Sequence, residues 1–259
     1  MYLFLFWMLI NTHVLGIHAT DSTDHLPKSA EVTLTFSHYF GAQPFAFRQK
    51  YQTVFGDTID FERFQYYISN IELVNEDGKT WNEKNSYHLL VLKPNEGHQL
   101  SLSLQDVPFK QIKRIRFGIG VDSSRNHGGV QDGDLDPIRG MFWTWSQGYI
   151  FLKSEGHHYQ NPTQRRGLIY HIGGDECYRE LQFELNPTNN RLSSTKALHI
   201  LVQVNLEKFF GGFQGAGINL QVPADGTAIN VMGGPKSAKI ADNYVGMFSL
   251  QKTENNSQE

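Results

Sequence analysis

The chain has a single cysteine, Cys177, among 259 residues. One thiol excludes an internal disulfide, so stability has to come from a packed core, and a buried, inert side chain is the usual state of such a cysteine. Positive charge is not in excess either. Lys and Arg number 23 against 26 Asp and Glu, a net charge of -3, and no basic cluster stands out. That excludes a nucleic-acid partner, which needs a basic surface for the phosphates. Also lacking are a Gly-x-Ser-x-Gly elbow, a His-Glu-x-x-His pair and a phosphate-cradling glycine loop, so no hydrolase or transferase signature is present. Nor does any Cys-x-x-Cys-His segment occur, which leaves no attachment point for haem.

The apolar run at the start, Met1 to Leu15, breaks off at Gly16-Ile17-His18-Ala19. It is short for a membrane span and ends in small residues, which predicts a secretory signal peptide over residues 1–19, with an uncleaved membrane anchor as the alternative. No cysteine follows it, so a lipoprotein is excluded. The expected organisation is a disordered leader over 20–29, one domain over 30–252 and a frayed polar tail over 253–259. The mature chain then carries no transmembrane span and works in the periplasm or outside the cell.

Alternation with period two dominates the domain. Val32, Leu34, Phe36, His38 and Phe40 fall on one face of a first strand. Similar runs follow at 64–74, 86–92, 99–104, 113–121, 149–153, 168–172, 180–185, 198–206 and 218–222. Turn signals such as Glu76-Asp77-Gly78 and Lys93-Pro94-Asn95-Glu96-Gly97 separate them. The pattern predicts an all-β protein: an antiparallel β-sandwich with long loops and one or two short helices, near 207–210 and 236–244.

Three groups of residues could carry chemistry. The loop from Asp122 to Arg139 holds His127 and the alternate carboxylates Asp132, Asp134 and Asp136. Their spacing fits a calcium loop, although Trp143 stands where an EF-hand needs glutamate, and a solvated acidic turn is the plainer reading. Next, Met141, Trp143 and Trp145 project to one side of an extended chain. They form either a core stripe or a soft, electron-rich face suited to copper. Exposed, the same rings would instead serve a non-metal binding module. Last come the histidines. His38 lies on the apolar face of the first strand, and His171 ends a strand beside Gly173-Gly174. Neutral imidazole suits copper, yet a hydrogen-bonded structural role is the commoner one. The neighbours His157 and His158 point to opposite sides of a strand and chelate poorly.

Taken in order, several segments resemble the MbnP-like family of exported copper-binding proteins. They are Phe64-Gln65-Tyr66-Tyr67-Ile68-Ser69-Asn70-Ile71, Phe117-Gly118-Ile119-Gly120-Val121-Asp122, Leu135-Asp136-Pro137, and Gly140-Met141-Phe142-Trp143-Thr144-Trp145 with Gly148-Tyr149. His171-Ile172-Gly173 and Asp242-Asn243-Tyr244 also fit. The resemblance implies an exported, non-enzymatic β-sandwich that binds copper. It implies a partner as well, a di-haem enzyme related to cytochrome c peroxidases that oxidises a tryptophan to kynurenine, here Trp143 or Trp145. His38 and His171 are the expected imidazole ligands, with Met141 a third. Family members with disulfides use a Cys pair after the His-x-Gly segment, and here Cys177 stands alone.

Overall fold

A computed structural model describes residues 30–144, 148–161, 164–186, 190–192, 196–211, 217, 218, 220 and 227–257. The expected signal peptide, the leader and Trp145 lie outside these residues. Among the described residues two sheets make up the fold. The smaller contains β1 (Ala30–Phe40), β2 (Gln43–Pro44), β7 (Gln99–Val107), β13 (Lys196–Asn205) and β15 (Phe248–Ser257). The larger contains β3 (Tyr51–Gln52), β4 (Thr58–Val74), β5 (Thr80–Asn82), β6 (Tyr87–Leu92), β8 (Arg114–Ile119), β9 (Phe142–Trp143), β10 (Gly148–Tyr159), β11 (Arg165–Gly173), β12 (Arg179–Glu184) and β14 (Ile229–Met232).

The all-β sandwich with long loops holds, and the sheets are mixed and curled. β1 pairs with β13 in parallel, and β11 with β14 likewise, where the pattern predicts antiparallel neighbours throughout. Period two shows which face of a strand is buried but not which way its partner runs. Three short α-helices are present among the described residues: α1 (Ser123–Asn126), α2 (Glu207–Gly211) and α3 (Pro235–Met247). None is long and apolar enough to cross a membrane. β15 continues to Ser257 alongside β13, so the backbone at 253–257 is strand where a frayed tail is expected. Residues 218–222, expected as a strand, fall partly outside the described residues, and Ile218 is in none.

The core lies between the inner faces of the sheets, as the alternation of β1 requires. Phe36 meets Phe117 at 5.8 Å edge to face, and Phe248 meets Tyr66 at 5.8 Å. Such contacts join β1 and β15 of one sheet to β8 and β4 of the other. On the larger sheet, a bulge between β4 and β10 sits at Gly156, where an added Cβ would lie 2.0 Å from the Asp60 carbonyl oxygen. Only glycine allows the two backbones to approach this closely.

Candidate functional site: a tryptophan at the wall of a cleft

The segment from Asp122 to Trp143 lies across the outer face of the larger sheet, held there by buried side chains from β4 and β10. Tyr67 donates its phenol hydrogen to the Asp134 carbonyl at 2.8 Å, and Tyr149 donates to the Leu135 carbonyl at 2.9 Å. Lys153 reaches the Gly140 carbonyl, and Gln65 Nε2 donates to Met141 Sδ at 2.9 Å. Each long side chain ties a loop carbonyl or sulfur to the sheet. Gly140, at φ 70, ends the 3₁₀ turn Pro137–Arg139 and directs the chain into β9.

β9 pairs Trp143 with Gly148 and Phe142 with Tyr149. This brings the Trp143 indole against Gly173 and Gly233. A Cβ on Gly173 would lie 2.9 Å from Cζ3, and one on Gly233 would lie 3.7 Å from Cη2. The indole is 8% exposed. What remains open lines a cleft of about 340 Å³ together with His127, Asp175 and Glu176.

Opposite the indole, Asp175 ties α1 to the 3₁₀ turn that follows β11. It accepts from Asn126 Nδ2 at 2.7 Å, from His127 Nε2 at 3.0 Å and from Ser123 Oγ. Burial acts to raise this carboxyl, but the three hydrogen bonds outweigh it and hold Asp175 below the usual carboxylate range. The carboxylate orients His127, whose side chain is 65% exposed at the cleft. The sequence reading includes His127 only as a loop member and misses Asp175. The available signal was Asp122-Ser123-Ser124, a helix-start run that caps α1 through Asp122 accepting from Arg125 N–H.

The expected ligand set divides between the two faces of the larger sheet. His171 Nε2 lies 2.7 Å from Glu155 Oε1, and Glu155 also pairs with Arg63 at 3.2 Å. Burial lowers the His171 pKa against the opposing pull of Glu155. Lys153 stands opposite both Gln65 and His171 in register, so these three residues form a row across the sheet. Gln65 binds Met141 and Gly173 faces Trp143, two residues along the strand from His171. Met141, Trp143 and His171 therefore share the outer face. His38 does not. It is fully buried between the sheets and bonds Tyr66, the strand neighbour of Gln65, which projects to the opposite face. His38 and His171 cannot ligate one metal together across the sheet, which corrects the expected pairing.

The aspartate loop is corrected too. Asp134 Oδ2 accepts the Leu89 N–H at 2.9 Å, and Asp136 Oδ1 accepts the Ile138 N–H at 2.9 Å. Asp132, Asp134 and Asp136 do not converge on a calcium position. Among the described residues no three His, Cys, Asp or Glu side chains are grouped to hold a metal ion. Trp143 is too deeply set to stack its face on a ligand, which counts against the exposed-aromatic binding module. Cys177 is buried, and burial pushes its thiol up to about 12, so it is inert.

Fold and cleft together define an all-β sandwich that sets a tryptophan edge beside an oriented imidazole. The chain belongs to the MbnP family, whose model matches residues 29–232. It is similar in fold to the solved structure of MbnP from Methylosinus trichosporium. The TM-score is 0.52 at 15% identity, over 89% of this chain and 100% of that one. No curated protein matches the chain.

Proposed function

We infer that this is an exported copper-binding protein whose site is completed when Trp143 is oxidised to kynurenine by a partner di-haem enzyme related to cytochrome c peroxidases. One observation carries the reading: the Trp143 ring is packed by the fold, yet its edge lines the same cleft as His127. An intact indole is a poor metal donor, because its nitrogen lone pair belongs to the ring. Opening the pyrrole ring yields an aromatic amine and a ketone, and both can donate. The donors already present are an imidazole, two carboxylates and, on the same sheet face, the Met141 thioether and His171. Imidazole and thioether are the softer donors that favour copper over calcium or magnesium. They do not form a complete set before oxidation, which fits a site made in two stages.

The geometry supports the following roles within the chain. Gly173 and Gly233 leave room for the ring and hold its orientation. Asp175, bonded to His127 Nε2, orients the imidazole as a carboxylate behind a metal-binding histidine does. Copper, when bound, supplies the chemistry of the site; the chain itself is a carrier and a substrate of oxidation, not a catalyst. Export is supported by the apolar run at residues 1–15. The haem belongs to the partner, as no haem-attachment segment occurs in this chain.

The test is copper content in protein isolated from its native host. Wild type is expected to retain copper, Trp143→Phe to lose it, and His127→Ala to bind it more weakly. Equal copper in wild type and Trp143→Phe overturns the reading.

A further inference from the structure

His38, freed from the ligand set, makes an unusual pair with Tyr66. Both side chains are fully buried between the sheets. His38 Nδ1 lies 2.9 Å from the His98 carbonyl oxygen, which can only accept, so Nδ1 carries the hydrogen. Nε2 is then a bare lone pair. Tyr66 Oη lies 2.9 Å from it and must be the donor. The Tyr66 phenol thus points its proton at a base, in a setting walled by Phe64 at 5.9 Å and Phe248 at 5.8 Å.

Three other buried phenols on this sheet differ. Tyr51 donates to the Ala46 carbonyl. Tyr67 and Tyr149 donate to the backbone carbonyls of Asp134 and Leu135. A carbonyl accepts a hydrogen bond but is far too weak a base to take the proton. This matters because a phenol that loses an electron becomes a strong acid, and oxidation is easy only where the proton has somewhere to go. Tyr87 and Tyr159 donate to carboxylates, but both are partly open to solvent. Tyr66 combines full burial with a basic acceptor.

We propose that Tyr66 and His38 are a proton-coupled redox pair built into the core. One electron leaves the Tyr66 ring for a one-electron oxidant. The phenol proton crosses the hydrogen bond to His38 Nε2, leaving a neutral tyrosyl radical and an imidazolium whose Nδ1–H stays on the His98 carbonyl. Return of the electron and the proton restores both groups. Burial pushes the His38 imidazole down to about 4 and the Tyr66 phenol well above its ordinary value, so the resting pair is neutral. Burial alone raises the Tyr66 phenol. Tyr66 adjoins Gln65, whose amide holds Met141 on the opposite face. The pair therefore lies one strand's thickness behind the Trp143 face. Its natural one-electron oxidant is the haem partner, and for that point alone the proposal rests on the reading given above.

The experiment supplies its own oxidant, so that it is independent of copper and of the partner. The full chain carrying Trp143→Phe is oxidised by a photogenerated ruthenium(III) complex and frozen for high-field electron paramagnetic resonance. A persistent tyrosyl signal in the hydrogen-bonded range is expected. It should vanish in Tyr66→Phe, survive in Tyr67→Phe and Tyr149→Phe, and change its g-value in His38→Gln. Ring-deuterated tyrosine, which narrows the tyrosyl signal without altering the fold, checks the assignment to a tyrosine should His38→Gln fail to fold. A signal that survives in Tyr66→Phe, or no persistent tyrosyl signal in the starting protein, overturns the proposal. Copper retained by Trp143→Phe as in wild type, with the radical intact, would instead count against the function proposed above.

Discussion

The Trp143 indole occupies the space that a side chain at Gly173 would need. A Cβ on Gly173 would stand 2.9 Å from Cζ3 of the indole and 2.3 Å from the Tyr149 carbonyl oxygen. The ring could shift, but the carbonyl belongs to a strand and cannot. Gly173→Ala is therefore expected to cost about 1–3 kcal/mol of stability, as overpacking does, and to push Trp143 toward water. Denaturant unfolding together with a red shift of tryptophan emission checks both parts. Unchanged stability and emission would mean that the ring is not seated on Gly173.

His38 gives a pH dependence with a definite sign. Burial holds its folded-state pKa at about 4, below the ordinary 6.5, so between those values the unfolded chain binds the extra proton. The stabilisation is fully present above pH 6.5 and is lost as pH falls toward 4. Its size is on the order of 3 kcal/mol. The carboxylates titrate near the lower limit too, so the informative quantity is the difference between wild type and His38→Gln. That difference is expected to shrink steadily from pH 6.5 to pH 4. A difference constant over this window would contradict the buried, neutral assignment.

Asp60 makes a third prediction, away from the cleft. Its carboxylate accepts from the His157 N–H and Nδ1, each at 2.9 Å, and from the Tyr159 hydroxyl at 2.6 Å. An amide at this position would turn a donor toward donors. Asp60→Asn is expected to lose about 2 kcal/mol, the usual cost of leaving buried polar groups unmatched, read from the urea midpoint. A loss below about 0.5 kcal/mol, the range of ordinary surface changes, would contradict the geometry.

Two of the three carboxylates of the 132–136 loop, Asp134 and Asp136, are engaged by backbone N–H groups, and Arg139 lies 3.5 Å from Asp134. Calcium is therefore expected to leave the thermal midpoint unchanged, with or without a chelator. A rise in midpoint on adding calcium would show that the loop rearranges to bind it, since a ligand of the native state must stabilise it.

These residues also show what the sequence makes legible. The buried face of β1 could be read in full from its alternation, because a strand with one face in a core must alternate. Family membership was legible because the aromatic and glycine segments recur in order along the chain. The ligand pairing was not. His38 and His171 both follow apolar patterns, and period two cannot say that His38 projects between the two sheets while His171 projects from the outer face of the larger one. His127 was hidden for another reason. Its place at the cleft depends on Asp175, 48 residues away, and no local pattern encodes that contact. The strand at 248–257 was missed because polar residues dominate its second half, so its pairing with β13 leaves no hydrophobic alternation to read.

The most direct test of the central claim is the mass of the peptide containing Trp143 and Trp145, digested from protein made in its native host. The account predicts one tryptophan converted to kynurenine, with the modification at Trp143, and unmodified peptide when the protein is made in a host without the haem partner. An unmodified Trp143 in native, copper-loaded protein would contradict it.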